Sequence, residues 1–79
     1  MELLELRDNI ETNFGLVCVA TDELPIGYET MVYPLNKSNR PIYKKPLEQF
    51  TKRYNTKLEA RKGHIDTVGE LCGYENSSH

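Results

Sequence analysis

The first half of the chain contains three stretches in which apolar residues are arranged as they are in β-strands. Residues 2–7 alternate leucines with charged residues, residues 16–20 are apolar at every position, and residues 28–33 are rich in strand-forming side chains. Turn-forming residues at 8–9 and 12–13 and a loop at 22–27 separate these stretches. The pattern therefore predicts three strands, and both faces of the middle strand should be covered.

Prolines interrupt the next part of the chain. Pro34, Pro41 and Pro46 lack a backbone N–H, so none of them fits a central strand. Residues 36–40 are polar and predict a loop in solvent, while residues 42–43 predict a short edge strand. Residues 48–54 are a candidate fourth strand.

The last third of the chain predicts one helix. Thr56 and Glu59 have the spacing of a capping box, in which the two residues satisfy each other's backbone N–H groups. Apolar residues then recur at helical spacing and predict the buried face: Leu58, Ala60, Ile65, Val68, Leu71 and Cys72. Gly73 is placed to end the helix, and residues 74–79 predict a flexible tail.

These elements predict an α+β fold, a small antiparallel sheet of three or four strands with one C-terminal α-helix packed on one face. Residues 1–73 form a single domain in this prediction. One helix covers one face only, whereas residues 16–20 are apolar on both. We therefore expect a second copy of the chain to cover the other face, which predicts a homo-oligomer.

Charge is strongly segregated along a chain whose net charge is only −2. Nine of its ten Lys and Arg residues lie between 37 and 62, accompanied by two acids. Residues 1–36 carry seven acids and one Arg, and residues 63–79 carry three acids. Because local field rather than net charge selects partners, this pattern predicts a surface that binds an anion or an acidic protein.

The basic segment contains two sets of candidate binding residues. A small anionic ligand would be held by side chains near the start of the helix, namely Tyr33, Arg53, Lys57 and His64, with Thr56 if it is not used as the cap. A partner surface would use the remaining basic residues and one tyrosine, namely Lys37, Arg40, Tyr43, Lys44, Lys45, Lys52 and Arg61. His64 has an alternative structural interpretation, in which its ring packs on the sheet and hydrogen-bonds a backbone carbonyl there.

The interleaving of tyrosines with lysines and arginines has more than one interpretation. Bases stack on aromatic rings while cations contact phosphates, so the segment is compatible with a nucleotide or single-stranded nucleic acid. Alternatively, antiparallel neighbours bring the acidic strands beside the basic ones as cross-strand pairs. A third interpretation is that acidic and basic patches meet between copies.

Several classes of function have no signature in the sequence. The motifs of serine hydrolases, zinc proteases, P-loop proteins and dinucleotide-binding domains are absent, so we predict no enzymatic activity and no cofactor. Cys18 and Cys72 form no metal-binding pattern and are predicted to be free, and no metal site is expected. Because no apolar run approaches 20 residues and the N-terminus is acidic, we expect a cytoplasmic protein.

Two motifs resemble those of a group of small proteins encoded by bacteriophages and prophages. These are an ETMVF/Y strand, at residues 29–33, and a YxTxxxAxxGH helix start, at residues 54–64. The resemblance covers residues 28–68, about half of the chain. It implies a phage accessory protein that acts inside a bacterial cell.

In that context we expect a non-enzymatic protein that binds and neutralises a host component. The component is either a protein, such as one of host defence, or a signalling nucleotide, and the protein is favoured. One alternative is a small nucleic-acid-binding protein that uses the Tyr/Lys/Arg surface. The other is a structural component of a virion or a replication complex.

Overall fold

A computed structural model describes residues 2–76, with only the backbone for residues 74–76. The chain forms strands β1 (Glu5–Thr12), β2 (Gly15–Leu24), β3 (Gly27–Pro34) and β4 (Lys52–Tyr54), followed by helix α1 (Lys57–Asn76). All four strands pair antiparallel in the order β1-β2-β3-β4. The predicted α+β class, with a small antiparallel sheet and one C-terminal helix, is confirmed.

Two tight hairpins connect the first three strands. Thr12 pairs with Gly15 across the first turn and Leu24 pairs with Gly27 across the second. Gly15 and Gly27 have φ of 127° and 140°, a conformation that side chains disfavour. The turn predicted at 12–13 is present, but the strands extend through the turn predicted at 8–9 and into the loop predicted at 22–27, so those boundaries are wrong.

Asp8 illustrates why the turn at 8–9 does not form. It pairs with Val19 in the middle of β1, and its side chain accepts a hydrogen bond from a helix histidine. Its turn propensity is therefore overridden by a tertiary partner that sequence patterning does not reveal.

The segment after β3 contains less strand than predicted. Ile42 and Tyr43 lie outside any strand. The segment forms an isolated antiparallel bridge between Leu35 and Pro41. Residues 48–50 form a 3-10 turn that buries Phe50, so β4 is shorter than the predicted strand at 48–54. The chain returns along β3 and brings β4 against residues 28–30.

Helix α1 begins as predicted and extends further. The Glu59 N–H donates to the Thr56 hydroxyl and the Thr56 N–H donates to the Glu59 carboxylate, both at 3.1 Å, so the capping box is confirmed. The helix continues past Gly73 to Asn76, so the predicted end at Gly73 is wrong. Residues 77–79 of the predicted tail lie outside the described residues.

The helix buries only part of the face that its apolar residues predict, since Ala60 and Leu71 are buried and Val68 packs against the core. Its contact face is formed mostly by small and polar residues, namely Ala60, Gly63, His64, Thr67 and Leu71, all of which are buried. Leu58 and Ile65 were expected in the core but are 78% and 69% exposed. A helix that lies this close to a sheet needs small side chains at the contact, which hydrophobic periodicity does not detect.

The apolar core lies between the sheet and the helix. It contains Val17 and Val19 of β2, Val32 of β3, Phe50 of the 3-10 turn and Leu71 of α1. We call this side of the sheet the helix face and the opposite side the outer face. Side chains of each strand alternate between the two.

The outer face of β2 is covered within a single chain. Cys18 and Ala20 point to this face and are each 2% exposed. Larger cross-strand neighbours flank them, Tyr33 beside Cys18 and Arg7 beside Ala20. Burial raises the pKa of the Cys18 thiol. The two-sided burial of β2 therefore does not require a second copy, which removes the sequence argument for oligomerisation at this strand.

The closest contact between helix and sheet is that of Tyr54 with Gly63. The Tyr54 ring lies directly on the Gly63 backbone, where a Cβ would overlap both the ring and its hydroxyl. Gly69 lies on the open side of the same helix, where a Cβ would meet no atom within 4 Å. The two glycines therefore form a matched pair for testing this contact.

We expect Gly63→Ala to destabilise the protein by about 1–3 kcal/mol, because overpacking at Tyr54 outweighs the gain in helix propensity. Gly69→Ala should stabilise it by up to about 1 kcal/mol. Urea unfolding of both variants measures the difference. Equal stabilisation by the two substitutions would show that Tyr54 does not pack on Gly63.

Candidate functional site

A chain of hydrogen-bonded side chains crosses the helix face of the sheet. His64 Nε2 lies 2.7 Å from Asp8 Oδ2, and His64 Nδ1 lies 2.7 Å from the Thr21 hydroxyl. The Thr21 hydroxyl lies 2.6 Å from that of Thr30, which accepts a hydrogen bond from the Tyr54 hydroxyl at 3.0 Å. We call these five residues the polar network.

The polar network has one arrangement of protons in which every hydroxyl donates one hydrogen bond within it. With a neutral imidazole, Nε2–H donates to the Asp8 carboxylate and Nδ1 accepts from Thr21. Thr30 then donates to Thr21, and Tyr54 donates to Thr30. Within the described residues, no buried side-chain N or O atom lacks a hydrogen-bond partner. The network is therefore a satisfied polar core.

Asp8, His64 and Thr21 are hydrogen-bonded in the sequence carboxylate, imidazole, hydroxyl, as in a catalytic triad. Their surroundings, however, do not suit a nucleophile. Thr21 and Thr30 are fully buried and His64 is 4% exposed. A nucleophilic hydroxyl has to reach a substrate. The Thr21 hydroxyl instead lies between two other side chains inside the protein, so we assign the polar network a structural role. The ring is buried against the sheet, as the structural alternative for His64 predicts, but its partners are the side chains of Thr21 and Asp8 and not the predicted backbone carbonyl.

The predicted small anion site is not assembled. Tyr33 points to the outer face of β3, whereas His64 is buried on the helix face. Arg53 also points to the outer face, where its Nε donates to Glu29 at 3.1 Å. Thr56 is used in the capping box, and Lys57 is exposed at the first residue of α1. The structure therefore separates these residues rather than forming one pocket.

The basic segment also divides in the folded chain. Lys52 pairs with Glu70 at 2.6 Å and Arg53 with Glu29 at 3.1 Å, so their charges are compensated. Lys57, Arg61 and Lys62 are exposed on the first turns of α1, which begins beside β4. The cations between residues 37 and 45 follow the other end of β3. The eight residues of that strand separate its two ends by roughly 25 Å.

Four cations remain together in one exposed loop. We call residues 36–45 the cationic loop, and its basic residues are Lys37, Arg40, Lys44 and Lys45. All four are exposed, and no carboxylate of the described residues lies within ion-pair distance of them. Five of the seven residues predicted for the partner surface lie in or directly beside this group, Tyr43 included, while Lys52 and Arg61 do not.

The Asn36 side chain fixes the shape of the cationic loop. Its Oδ1 accepts from the backbone N–H groups of Ser38 at 2.8 Å and Arg40 at 3.0 Å. The Asn36 N–H donates to the Arg40 carbonyl at 2.8 Å, and Asn39 adopts the left-handed conformation with φ of 60°. This Asx-type turn presents Lys37 and Arg40 in a defined arrangement.

Two tyrosines anchor the second half of the loop. The rings of Tyr33 and Tyr43 meet edge to face, with centroids 5.0 Å apart and planes at 72°. Tyr43 remains 64% exposed beside Lys44 and Lys45. Burial, followed by the nearby Glu29 carboxylate, raises the pKa of Tyr33. The pair therefore supplies an uncharged aromatic surface next to the cations.

The polar network was missed at the sequence level apart from His64. Asp8 is of a residue type that is common in turns, and Thr21 and Thr30 are of a type that is common in strands. The available signal was the histidine in a helix that lacks a continuous apolar face, because a buried His needs polar partners on the facing strands.

We expect Thr21→Val to destabilise the protein by about 1–3 kcal/mol, because His64 Nδ1 and the Thr30 hydroxyl both lose a buried partner. Thr67→Val is the matched control, since Thr67 is equally buried but donates only to the Gly63 carbonyl at 2.8 Å. Chemical denaturation compares the two variants. A smaller loss for Thr21→Val than for Thr67→Val would contradict the assigned role.

Comparison with known proteins adds no further guide. No helix in the described part of the chain is long and apolar enough to cross a membrane. No family model, curated protein or solved structure matches this chain.

Proposed function

We propose that this protein is a non-enzymatic binding protein whose cationic loop docks on an acidic surface of a partner protein. The observation that carries the proposal is the set of four exposed, uncompensated cations beside Tyr43. The resemblance to phage proteins supports a host protein in the bacterial cytoplasm as the partner. Binding would neutralise that protein, and a host-defence component is the partner we favour.

The loop has the properties of a recognition surface. Complementary charge increases the rate of encounter and disfavours partners of the wrong sign. The Asn36 hydrogen bonds reduce the conformational freedom that the loop would lose on binding. Tyr43 adds an exposed aromatic ring of the type enriched at interface hot spots.

A small nucleotide is a weaker candidate for the ligand. The cleft next to the loop has a volume of about 400 Å³ but is lined by Glu11 and contains no Lys or Arg. A larger cleft of about 570 Å³ is lined by Glu2, Glu5, Asp22 and Glu23. The cleft beside Arg53 has only about 170 Å³, below the usual range for ligand pockets. Anionic ligands would therefore meet negative charge or too little space.

Nucleic acid is the second candidate, and one observation favours it. The exposed Tyr43 ring beside Lys44 and Lys45 is suitable for stacking a base while the cations contact phosphates. The outer face beyond the loop carries four acids and two arginines, and both arginines are already ion-paired there, Arg7 with Asp22 and Arg53 with Glu29. Among the described residues of this face, no free cation would therefore contact a phosphate backbone that extends across it. A compact acidic protein surface fits the restricted positive area better.

We expect the triple variant Arg40→Glu/Lys44→Glu/Lys45→Glu to lose binding to a host protein by about tenfold or more. Three exposed pairs worth up to about 0.5–1 kcal/mol each are lost, and 1.4 kcal/mol is a factor of ten. The test captures partners from bacterial lysate and then measures affinity with the purified partner. The matched control is Lys57→Glu/Arg61→Glu/Lys62→Glu, which changes the same number and types of charge on the helix.

The outcomes separate the candidates. Loss of affinity in the loop variant but not in the helix variant supports the proposal. Equal loss in both would show that the loop is not the site. A heat of binding with nucleotides in calorimetry would indicate a small ligand instead of a protein partner. Steeply salt-dependent binding of single-stranded oligonucleotides would favour nucleic acid.

A further inference from the structure

The outer edge of β1 is a long and regular strand edge. All eight residues from Glu5 to Thr12 pair in continuous register with β2, and β1 is the first strand in the sheet order. No other strand of residues 2–76 pairs with its free side. The opposite edge, β4, has only three residues. The sheet therefore presents one extended edge.

The backbone hydrogen bonds identify which residues face this edge. The Glu23 N–H donates to the Leu4 carbonyl at 3.0 Å, so the even-numbered residues of this segment direct their N–H and C=O groups at β2. The odd-numbered residues of β1 direct theirs outward, and these are Glu5, Arg7, Asn9 and Glu11. Their backbone groups form a ready template for another strand.

Some of the common features that prevent edge pairing are missing from β1. The strand has no proline, no lysine and no interruption of its ladder with β2. It does carry charged side chains, including Asp8, which points to the helix face and is bound by His64. These charges restrict the registers in which two such edges can pair.

We propose that β1 pairs antiparallel with β1 of a second copy of this chain, about a two-fold axis at Asn9. The pairing forms a continuous eight-stranded sheet. Only registers that place odd-numbered residues opposite one another match the outward backbone groups. Among these, the register centred on Asn9 places Arg7 opposite Glu11 of the second copy, twice. Arg7 is already paired with Asp22 of its own chain at 2.8 Å, so Glu11 of the second copy would extend that ion pair into a network across the axis.

The neighbouring registers are electrostatically less favourable. A two-fold axis at Asp8 places Asp8 opposite its own copy and Glu5 opposite Glu11, so like charges meet. An axis at Arg7 brings the two arginines together. An axis at Ile10 separates Arg7 from Glu11. Charge complementarity therefore selects both the occupant and the register.

This arrangement has a consequence for the cationic loop. A two-fold axis perpendicular to a sheet keeps both helices on one face. The cleft that contains Asn39 of the loop is also lined by Asn9 and Glu11, so each loop lies near the axis on the outer face. The dimer would present two cationic loops on one side, and a partner with two acidic sites would bind with avidity.

The first test is a cysteine cross-link in the full chain with Cys18→Ala and Cys72→Ser, because Cys18 pairs with residue 9 across β1 and β2 and would otherwise form a disulfide within one chain. Paired residues that share hydrogen bonds have Cα atoms about 5.5 Å apart, within the range of a disulfide. Asn9→Cys should therefore give a covalent dimer on mild oxidation. Glu5→Cys, an equally exposed position in β1, should not, because its copy lies more than about 20 Å away in this register. Equal cross-linking of both, or of neither, would overturn the proposal.

The second test measures the dimer by sedimentation equilibrium. Wild-type protein should dimerise, and Arg7→Glu should weaken the dimer by about tenfold or more because it places glutamates opposite each other. The double variant Arg7→Glu/Glu11→Arg should restore it. A monomeric wild type at 100 µM, or no restoration by the double variant, would contradict the inference. Loop-dependent partner binding by a monomer would leave the proposed function intact.

Discussion

One hydrogen-bonded chain of side chains joins every strand to the helix. Each of these elements contributes one residue to the chain: Asp8 from β1, Thr21 from β2, Thr30 from β3, Tyr54 from β4 and His64 from α1. A buried polar group without a partner costs about 1–3 kcal/mol, which is a large fraction of the stability of a small domain. The position of the helix is therefore constrained, because a displaced helix would leave several of these groups unsatisfied.

The Tyr54–Gly63 contact acts together with this network. The ring can lie on the helix backbone only because residue 63 has no side chain, and the hydroxyl at its end then reaches Thr30. The apolar core of Val17, Val19, Val32, Phe50 and Leu71 fills the other end of the same interface. Polar and apolar contacts thus divide the helix–sheet interface between them.

The fold class could be predicted from the sequence because its signals are local. The strand at 28–33, the turn at 12–13 and the capping box of Thr56 and Glu59 all depend on neighbouring residues. The buried face of α1 could be predicted only in part, because Gly63, His64 and Thr67 are buried for reasons that lie on facing strands, whereas Leu58 and Ile65 are exposed. The same limit applies to the site: charge segregation indicated a basic surface, but the division into a loop, a helix group and two ion-paired residues depends on tertiary structure.

The separation between the polar network and the cationic loop organises the functional account. The network is buried at Thr21, Thr30 and His64, ends at the exposed carboxylate of Asp8 and stabilises the fold. The loop is exposed beyond β3 and is available to a partner.

Nitrogen NMR of the His64 side chain tests the central claim most directly. At pH 8.5 the polar network predicts a proton on Nε2 and an unprotonated, hydrogen-bonded Nδ1. The Nε2 proton should exchange slowly with water because the ring is buried. A ring protonated at Nδ1, or a mixture of tautomers in rapid exchange with solvent, would show that Asp8, Thr21 and His64 are not connected as described.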